Sequence, residues 1–408
     1  MLRTALGRYI NNFKGFTREV WILALITFIN RAGTMVLPFL SKYLKEDLHF
    51  TYSEVGWIMV AFGMGSMLGS WLGGKLTDKI GFYKIMIFSL FTSGILFILL
   101  QYITSFGGLC IAMFIIMAIS DMFRPAMFVS LSVYAKPENR VRALSLVRLA
   151  VNLGFAAGPT IGGFIILAMG YQSLFWVDGS TCIIAILIFA FYIKEKKRVP
   201  LATDDIANKV APKSIYKDKP FWLLLFISFV IVTVFFQIFS TLPLYHNEKF
   251  GLSEFQTGMI LSVNGLLVFL FEMPIVSMLE RKKVNRIKTI FYGSLCIAAG
   301  YYVLLLDSWA FILLISIVLL SFGEIFAFPF TNAVSLSRAP KGQEGQYMGL
   351  FTMSFSLAHI TSSKMGLEII AHYGYQINWI IMGTLGILAS FCCILLNKMI
   401  HSSEKINQ

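Results

Sequence analysis

Apolar residues fill this chain in long runs, broken at short intervals by polar and often basic stretches. Twelve runs stand out, over residues 20–44, 53–76, 81–101, 106–131, 143–169, 173–193, 220–246, 254–279, 286–306, 309–335, 345–371 and 375–397. Each is about as long as the ~20 residues that a helix needs to cross a hydrocarbon layer. The pattern predicts an all-α membrane protein with twelve transmembrane helices. The longest polar interruption, residues 194–219, divides the runs six and six. It is basic at both ends, with a mixed, proline-containing middle, and it reads as a linker. The expected organisation is an N-terminal segment (1–19), a six-helix bundle (20–193), the linker (194–219), a second six-helix bundle (220–397) and a tail (398–408). A layout of this kind suggests a substrate path between two bundles. Pro38, Pro125, Pro159, Pro243, Pro274 and Pro329 fall inside runs, where each predicts a kink.

Composition agrees with this reading. The chain is 57% hydrophobic and only 13% charged, with a mean hydropathy of +0.75. Its net charge of +13 would suit nucleic acid if the basic residues formed a patch. They do not. Of the 34 Lys and Arg residues, 27 lie in the N-terminal segment, the even-numbered loops and the tail. Three (Lys42, Lys45 and Lys249) lie in odd-numbered loops. That asymmetry is the positive-inside distribution, and it predicts cytoplasmic termini. The basic surplus needs no nucleic-acid partner and adds attraction to anionic lipid.

The first 19 residues are basic and amphipathic and run into the first apolar stretch without a small-residue cleavage site, so a cleaved signal peptide is not expected. All five cysteines fall in apolar runs without a CxxC pair, so neither a disulfide framework nor a metal site is expected. No phosphate-binding GxxxxGK[ST], no HExxH and no catalytic Ser or Cys constellation occurs. The sequence therefore points away from enzymes and ATP-driven pumps, and no cofactor is expected.

The stretch WLGGKLTDKIGFYK, Trp71 to Lys84, interrupts the second and third runs with charge and glycine. Gly65, Gly69 and Gly73 recur every four residues and give one helix face without side chains, along which a neighbour can approach closely. Gly81 permits a tight turn. Asp78, at the end of the run, is placed to cap a helix N-terminus and to meet nearby cations. GGKLTDKIGFYK resembles the loop motif of the major facilitator superfamily through Gly74, Leu76, Asp78, Gly81 and Lys84, with Lys79 in place of the usual Arg and Phe82 where a basic residue is common. The resemblance implies two six-helix bundles and a conformational latch built on Gly74, Asp78, Gly81 and Lys84.

A second stretch, GFAAGPTIGG, resembles an element of drug:proton antiporters of that superfamily. It supplies a packing motif of Gly154, Gly158, Pro159, Gly162 and Gly163, with a bendable face expected to meet the partner half. A third stretch, Gly323 to Phe351, resembles both these antiporters and proton-coupled oligopeptide transporters. The first run retains Arg31 in ITFINRAGTM but lacks the glutamates and tyrosine pair of the peptide-transporter signature. The fourth run also lacks the early Arg common in the antiporters.

Charges inside apolar runs cost at least about 2.5–3.5 kcal/mol at mid-bilayer, so they pair or face a cavity. They include Arg31, Asp121, Arg124, Arg148, Glu272, Glu324, Lys364 and Glu368. Asp121 and Arg124 share a helix face and are expected to pair and join the Asp78 latch. Lys364 and Glu368 read as a structural ion pair, and Arg148 as a side chain reaching back toward the interface. Glu324, with Glu272 second, is the candidate for proton coupling, because a carboxyl enclosed away from water is a natural proton carrier. Arg31 is expected to meet an anionic group. With it, Asn30, Gln237, Asn264, Asn332, His359 and Phe236 are candidate cavity residues, among further aromatics such as Phe28, Phe235 and Phe326.

The resemblance thus implies a monomeric, multi-pass secondary transporter of the cell membrane (of the bacterial inner-membrane kind). It would move a small amphipathic or drug-like molecule by alternating access, as a proton antiporter. Proton-coupled uptake of peptides or another nutrient is the alternative, and a lipid flippase or a receptor a more distant one.

Overall fold

The computed structural model describes residues 13–33, 40, 43–44, 47–195, 215–252, 254–306 and 309–406. Among these residues the secondary structure is helical, without strands. The helices are α1 (Arg18–Gly33), α2 (Tyr52–Ile80), α3 (Phe82–Leu100), α4 (Phe106–Ser120), α5 (Phe123–Tyr134), α6 (Arg140–Met169) and α7 (Gln172–Tyr192). After these come α8 (Lys219–Phe235), α9 (Gln237–Phe250), α10 (Glu254–Arg281), α11 (Arg286–Val303), α12 (Phe311–Arg338) and α13 (Glu344–Ile406). Nine helical stretches among the described residues are long and apolar enough to cross a membrane. The prolines expected inside helices are met in part: Pro243, Pro274 and Pro329 lie inside α9, α10 and α12. Pro38 lies outside the described residues, as do the surroundings of Pro159 and Gly163.

Helix starts follow the local sequence. Thr51 and Glu54 form a reciprocal capping box at the start of α2, with the Thr51 N–H donating to Glu54 Oε2 at 2.8 Å. Asn285 Oδ1 accepts from the Ile287 and Lys288 amides at the start of α11. Two apolar runs, the fourth and the seventh, are interrupted within their length, and the eleventh and twelfth are joined in one helix. The fourth divides into α4 and α5 at Asp121–Met122. Pro125, at the third position of α5, has no N–H to return to the Asp121 carbonyl. The 63-residue α13 is divided by Gly374, which is non-helical at φ 80°, ψ 175°.

The chain forms two compact units. One comprises Phe16–Lys217 and Ala339–Met353, and the other Asp218–Arg338 and Ser354–Gln408 with Met1–Gly15. Within the first, α2 lies against α4, α1 against α6 and α7, and α3 against α7. Within the second, α12 lies against both α11 and α10. Large apolar side chains point outward, such as Phe191 (82% exposed) and Phe164 (72%), as expected where the solvent is lipid.

Small residues bring the helices together. A Cβ on Gly69 would stand 2.9 Å from the Met117 carbonyl oxygen, and one on Gly73 2.5 Å from Met122 Cα. The glycine face of α2 therefore rests on the backbone of α4 and the turn that follows it. Gly56, on the same helix, has open space where its Cβ would be. Gly69→Ala should thus lower the thermal midpoint by several degrees, at a cost of roughly 1–3 kcal/mol. Gly56→Ala should leave it unchanged or slightly raised, since alanine favours a helix by about 1 kcal/mol over glycine. Thermal unfolding of both variants in one detergent checks the contrast.

Candidate functional site: buried polar clusters of the two units

At the end of α2, Asp78 accepts two main-chain hydrogen bonds. The amides of Gly345 and Gln346 donate to Oδ1 and Oδ2 at 2.8 and 2.7 Å. These amides belong to the first turn of α13, where N–H groups lack helical partners and the helix dipole favours an anion. Backbone contact makes the geometry accessible. A Cβ on Gly74 would strike the Gly345 carbonyl and stand 2.8 Å from Gly349 Cα, and one on Gly349 would be 2.9 Å from the Ser70 carbonyl oxygen. Sequence marked Asp78 and Gly74 but not Gly345 and Gly349, although their spacing of four is the same small-residue signal. Gly81 turns the chain with φ 94°, and Lys84 is exposed just beyond it.

Asp121 and Arg124 pair, with Arg124 Nε 3.1 Å from Asp121 Oδ1. They do not join Asp78. The Ser66 hydroxyl donates to Asp121 Oδ2, and Ser66 lies twelve residues, or about 18 Å, along α2 from Asp78. The break between α4 and α5 holds the carboxylate at that level. The charges of Asp121, Arg124 and Asp178 all act on Arg31, on α1. Asp178, on α7, is 1% exposed. It is missing from the charges singled out by sequence, although an aspartate seven residues into α7 was signal enough. Asn30 Nδ2 donates to Cys182 Sγ at 3.3 Å, and Cys182 Sγ lies 4.0 Å from Asp178 Oδ1.

The glycine motif of α6 serves this cluster. A Cβ on Gly154 would lie 2.6 Å from Arg31 Cβ, and one on Gly158 3.2 Å from the Ala32 carbonyl oxygen. The face expected to meet the partner half thus meets α1 of its own unit, because Gly154 and Gly158 leave room there for the turn that carries Arg31. Gly162 is buried on the same helix.

In the second unit, Glu324 lies mid-way along α12 and is 5% exposed. Asn264 Nδ2, from α10, donates to Glu324 Oε2 at 3.1 Å and reaches Ser321 Oγ at 3.0 Å. Gly323 and Gly293 meet backbone to backbone and seat α12 on α11; a Cβ on either would lie 2.9 Å from the other's carbonyl oxygen. Glu272 is fully buried two turns beyond Asn264 on α10. Gln237 opens α9 after the break at Phe236. Its Nε2 donates to the Ser362 carbonyl and hydroxyl oxygens at 2.7 and 3.1 Å, and its Oε1 accepts from Thr241 Oγ1 at 2.6 Å. Phe236 packs on the exposed His359 with ring centroids 4.9 Å apart. Phe328 contacts both Phe235 and Phe355. Asn332 Oδ1, two turns after Glu324, is buried without a hydrogen-bond partner among the described residues.

Further along α13, Glu368 approaches His372 Nδ1 at 3.8 Å, one turn on. Lys364, the partner expected from sequence, is exposed. An ion pair that sequence did not mark joins Arg338, at the end of α12, to Asp218 at 2.7 and 3.1 Å. Asp218 also accepts the Phe221 amide and so caps α8.

Apolar helices that enclose charged and amide clusters define a multi-pass membrane protein built to handle a solute. Residues 23–363 match the profile of the Major Facilitator Superfamily, and the chain belongs to that family of transporters. An uncharacterized MFS-type transporter, YttB of Bacillus subtilis (strain 168), is 22% identical over 96% of this chain and 98% of its own length. Multidrug resistance protein 2 of the same organism is 23% identical over 84% of this chain and 86% of its own. The fold is also that of the transporter FucP in an outward conformation, with a TM-score of 0.75, 14% identity and coverage of 93% of this chain and 99% of that one. The chain is similar to the drug-efflux branch of the family.

The contacts of α6 separate two substitutions. Gly154→Ala should displace α1, lower the thermal midpoint and reduce transport several-fold. Gly158→Ala, with its nearest neighbour at 3.2 Å, should have the smaller effect on both. Unfolding and uptake measured on the same preparations check the order.

Proposed function

We propose that the chain is a secondary active transporter with twelve membrane-spanning helices in two bundles of six and cytoplasmic termini, which exports a small amphipathic or drug-like solute in exchange for protons. The observation that carries this reading is Glu324. It is a buried carboxyl mid-way along α12, bonded to the amide of Asn264 on α10. An amide N–H donor serves a carboxyl oxygen in either protonation state, so the group is able to take up and release a proton without losing its place. Glu272, buried on the helix that carries Asn264, is the second candidate. Phe235, Phe236, Phe328 and Phe355 supply aromatic surface in the same unit, which suits an apolar or amphipathic solute. Similarity to a relative named for multidrug resistance supports efflux of drug-like molecules.

In this mechanism a proton shifts the transporter between its states only if it binds them with different affinity. The Asp78 contact with the start of α13 supports a latch that holds one state. Arg31, Asn30, Gln237, Asn264, Asn332, His359 and Phe236 are the proposed solute-binding groups.

Two variants test the reading in proteoliposomes. Glu324→Gln keeps the shape and removes the titration. It should abolish accumulation driven by an imposed pH gradient while sparing solute exchange, with Glu272→Gln doing less. Accumulation at the wild-type level by Glu324→Gln would remove Glu324 from the coupling mechanism. Asp78→Asn should retain solute binding but lower transport about tenfold, because its neutral side chain loses the charge that favours the α13 terminus. Unimpaired transport by that variant, at equal reconstitution, overturns the latch. Proton movement in the same direction as the solute would replace export with uptake.

A further inference from the structure

The turn between α10 and α11 carries a feature that the Glu324 mechanism leaves unused. The end of α10 closes with two reversed hydrogen bonds. The Val284 amide donates to the Leu279 carbonyl at 3.1 Å, and the Lys283 amide to the Glu280 carbonyl at 3.0 Å. In this closing pattern the left-handed residue is normally glycine. Here it is Lys283, at φ 50°. A side chain in that conformation carries a steric cost that glycine avoids. The turn between α2 and α3 does use glycine for its positive φ, at Gly81. Strain kept at one residue points to a side chain with a task.

Lys283 lines a cavity of about 260 Å³ together with Glu280, Val284, Arg286 and Phe330. Glu280 comes from α10, Arg286 from α11 and Phe330 from α12, so three helices meet there. Five of the eight residues from Arg281 to Lys288 are basic. Arg281, Lys282, Lys283 and Lys288 are exposed. Glu280 is the acid of the cavity, and Arg286 Nη2 lies 3.6 Å from its Oε1. That distance is longer than a hydrogen bond, so the guanidinium keeps N–H donors for a second acceptor. The turn itself is held in place. Asn285 Oδ1 caps α11, and Asn285 Nδ2 donates to Asn397 Oδ1 on α13 at 3.0 Å. The cations are thus presented on a fixed frame, which lowers the ordering cost of binding.

Charge and position together select the occupant. The stretches on either side of the turn, Gln256–Arg281 and Arg286–Leu306, are both long and apolar enough to cross the membrane. The turn between them therefore lies at the bilayer surface, at the level of the lipid phosphates, where basic pockets between helices take up anionic head groups. Val284 and Phe330 give the cavity an apolar wall. Met278 and Tyr292, farther along the same two helices, are 46% and 60% exposed. We propose that this cavity binds the phosphate head group of an anionic phospholipid, with Lys283 and Arg286 as its cationic contacts and the acyl chains on the lipid-facing sides of α10 and α11. The site requires that these two helices span the membrane, and it stands apart from the proton and solute assignments above.

The experiment is thermal unfolding of the purified full chain in a neutral detergent. Phosphatidylglycerol, an equal amount of zwitterionic phosphatidylcholine, or inorganic phosphate is added. Phosphatidylglycerol should raise the midpoint by several degrees beyond phosphatidylcholine, since a ligand of the folded state stabilises it. Arg286→Gln should lose most of that increment. Lys283→Gly separates the two properties of its residue. It should keep or raise the midpoint without lipid, because the strain is gone, and still lose the lipid increment. Lys136→Gln removes an exposed cation from the turn before α6 and should retain the increment. Equal shifts with the two lipids, an increment kept by both Lys283→Gly and Arg286→Gln, or an equal loss in Lys136→Gln overturns the site. A shift given in full by inorganic phosphate overturns the lipid as its occupant.

Discussion

Apolar side chains gain nothing by turning from lipid to one another, so helices in a bilayer must find another reason to associate. In this chain that reason is close backbone approach, made where side chains are missing. Gly69 and Gly73 bring α2 onto α4, and Gly293 and Gly323 bring α11 onto α12. The consequence reaches the polar groups. Gly323 immediately precedes Glu324, Gly154 touches Arg31, and Gly74 lies one turn from Asp78. The chain fixes its charges by fixing the helix backbones beside them.

The charges are then sorted by their partners. Asp78 meets main-chain amides, Asp121 a guanidinium and a hydroxyl, Asp178 the thiol of Cys182, and Glu324 an amide. These four environments give one functional group four sets of neighbours. The carboxylate at the helix terminus ties two helices through main-chain donors. The one clamped by Arg and Ser is held by a cation and a hydroxyl on neighbouring elements. Glu324 shares its amide donor with Ser321 on its own helix. Chemistry in this molecule depends less on residue type than on what each carboxyl is given to hold.

Much of this was legible in the sequence. The apolar runs mark the helices, and the Asp78 motif marks a turn whose partners proved to be amides. What periodicity could not supply was pairing across helices. Nothing in the spacing of Asp121 and Arg124 says that their level on α2 is Ser66 and not Asp78. The glycines of α6 announce close packing, but not that α1 is the neighbour. Lys364 and Glu368 have ideal spacing for an ion pair, yet the acid approaches His372 on the same helix. Asp178 is a different case: it stood in plain view within an apolar run, among Phe, Trp and Ile, and nothing in its spacing said that it would be buried. The side-chain bonds of Gln237 are a further example, since their acceptors lie on a helix more than a hundred residues away.

The tie at Asp78 is made to peptide N–H groups, and this bears on how its evolution can be followed. Every residue except proline offers the same donor, so drift at Gln346 has no need of a matching change at Asp78. Methods that find contacts through correlated substitution would pass over this one. A genetic screen for second-site rescue of Asp78→Asn would likewise return no replacement donor from those positions.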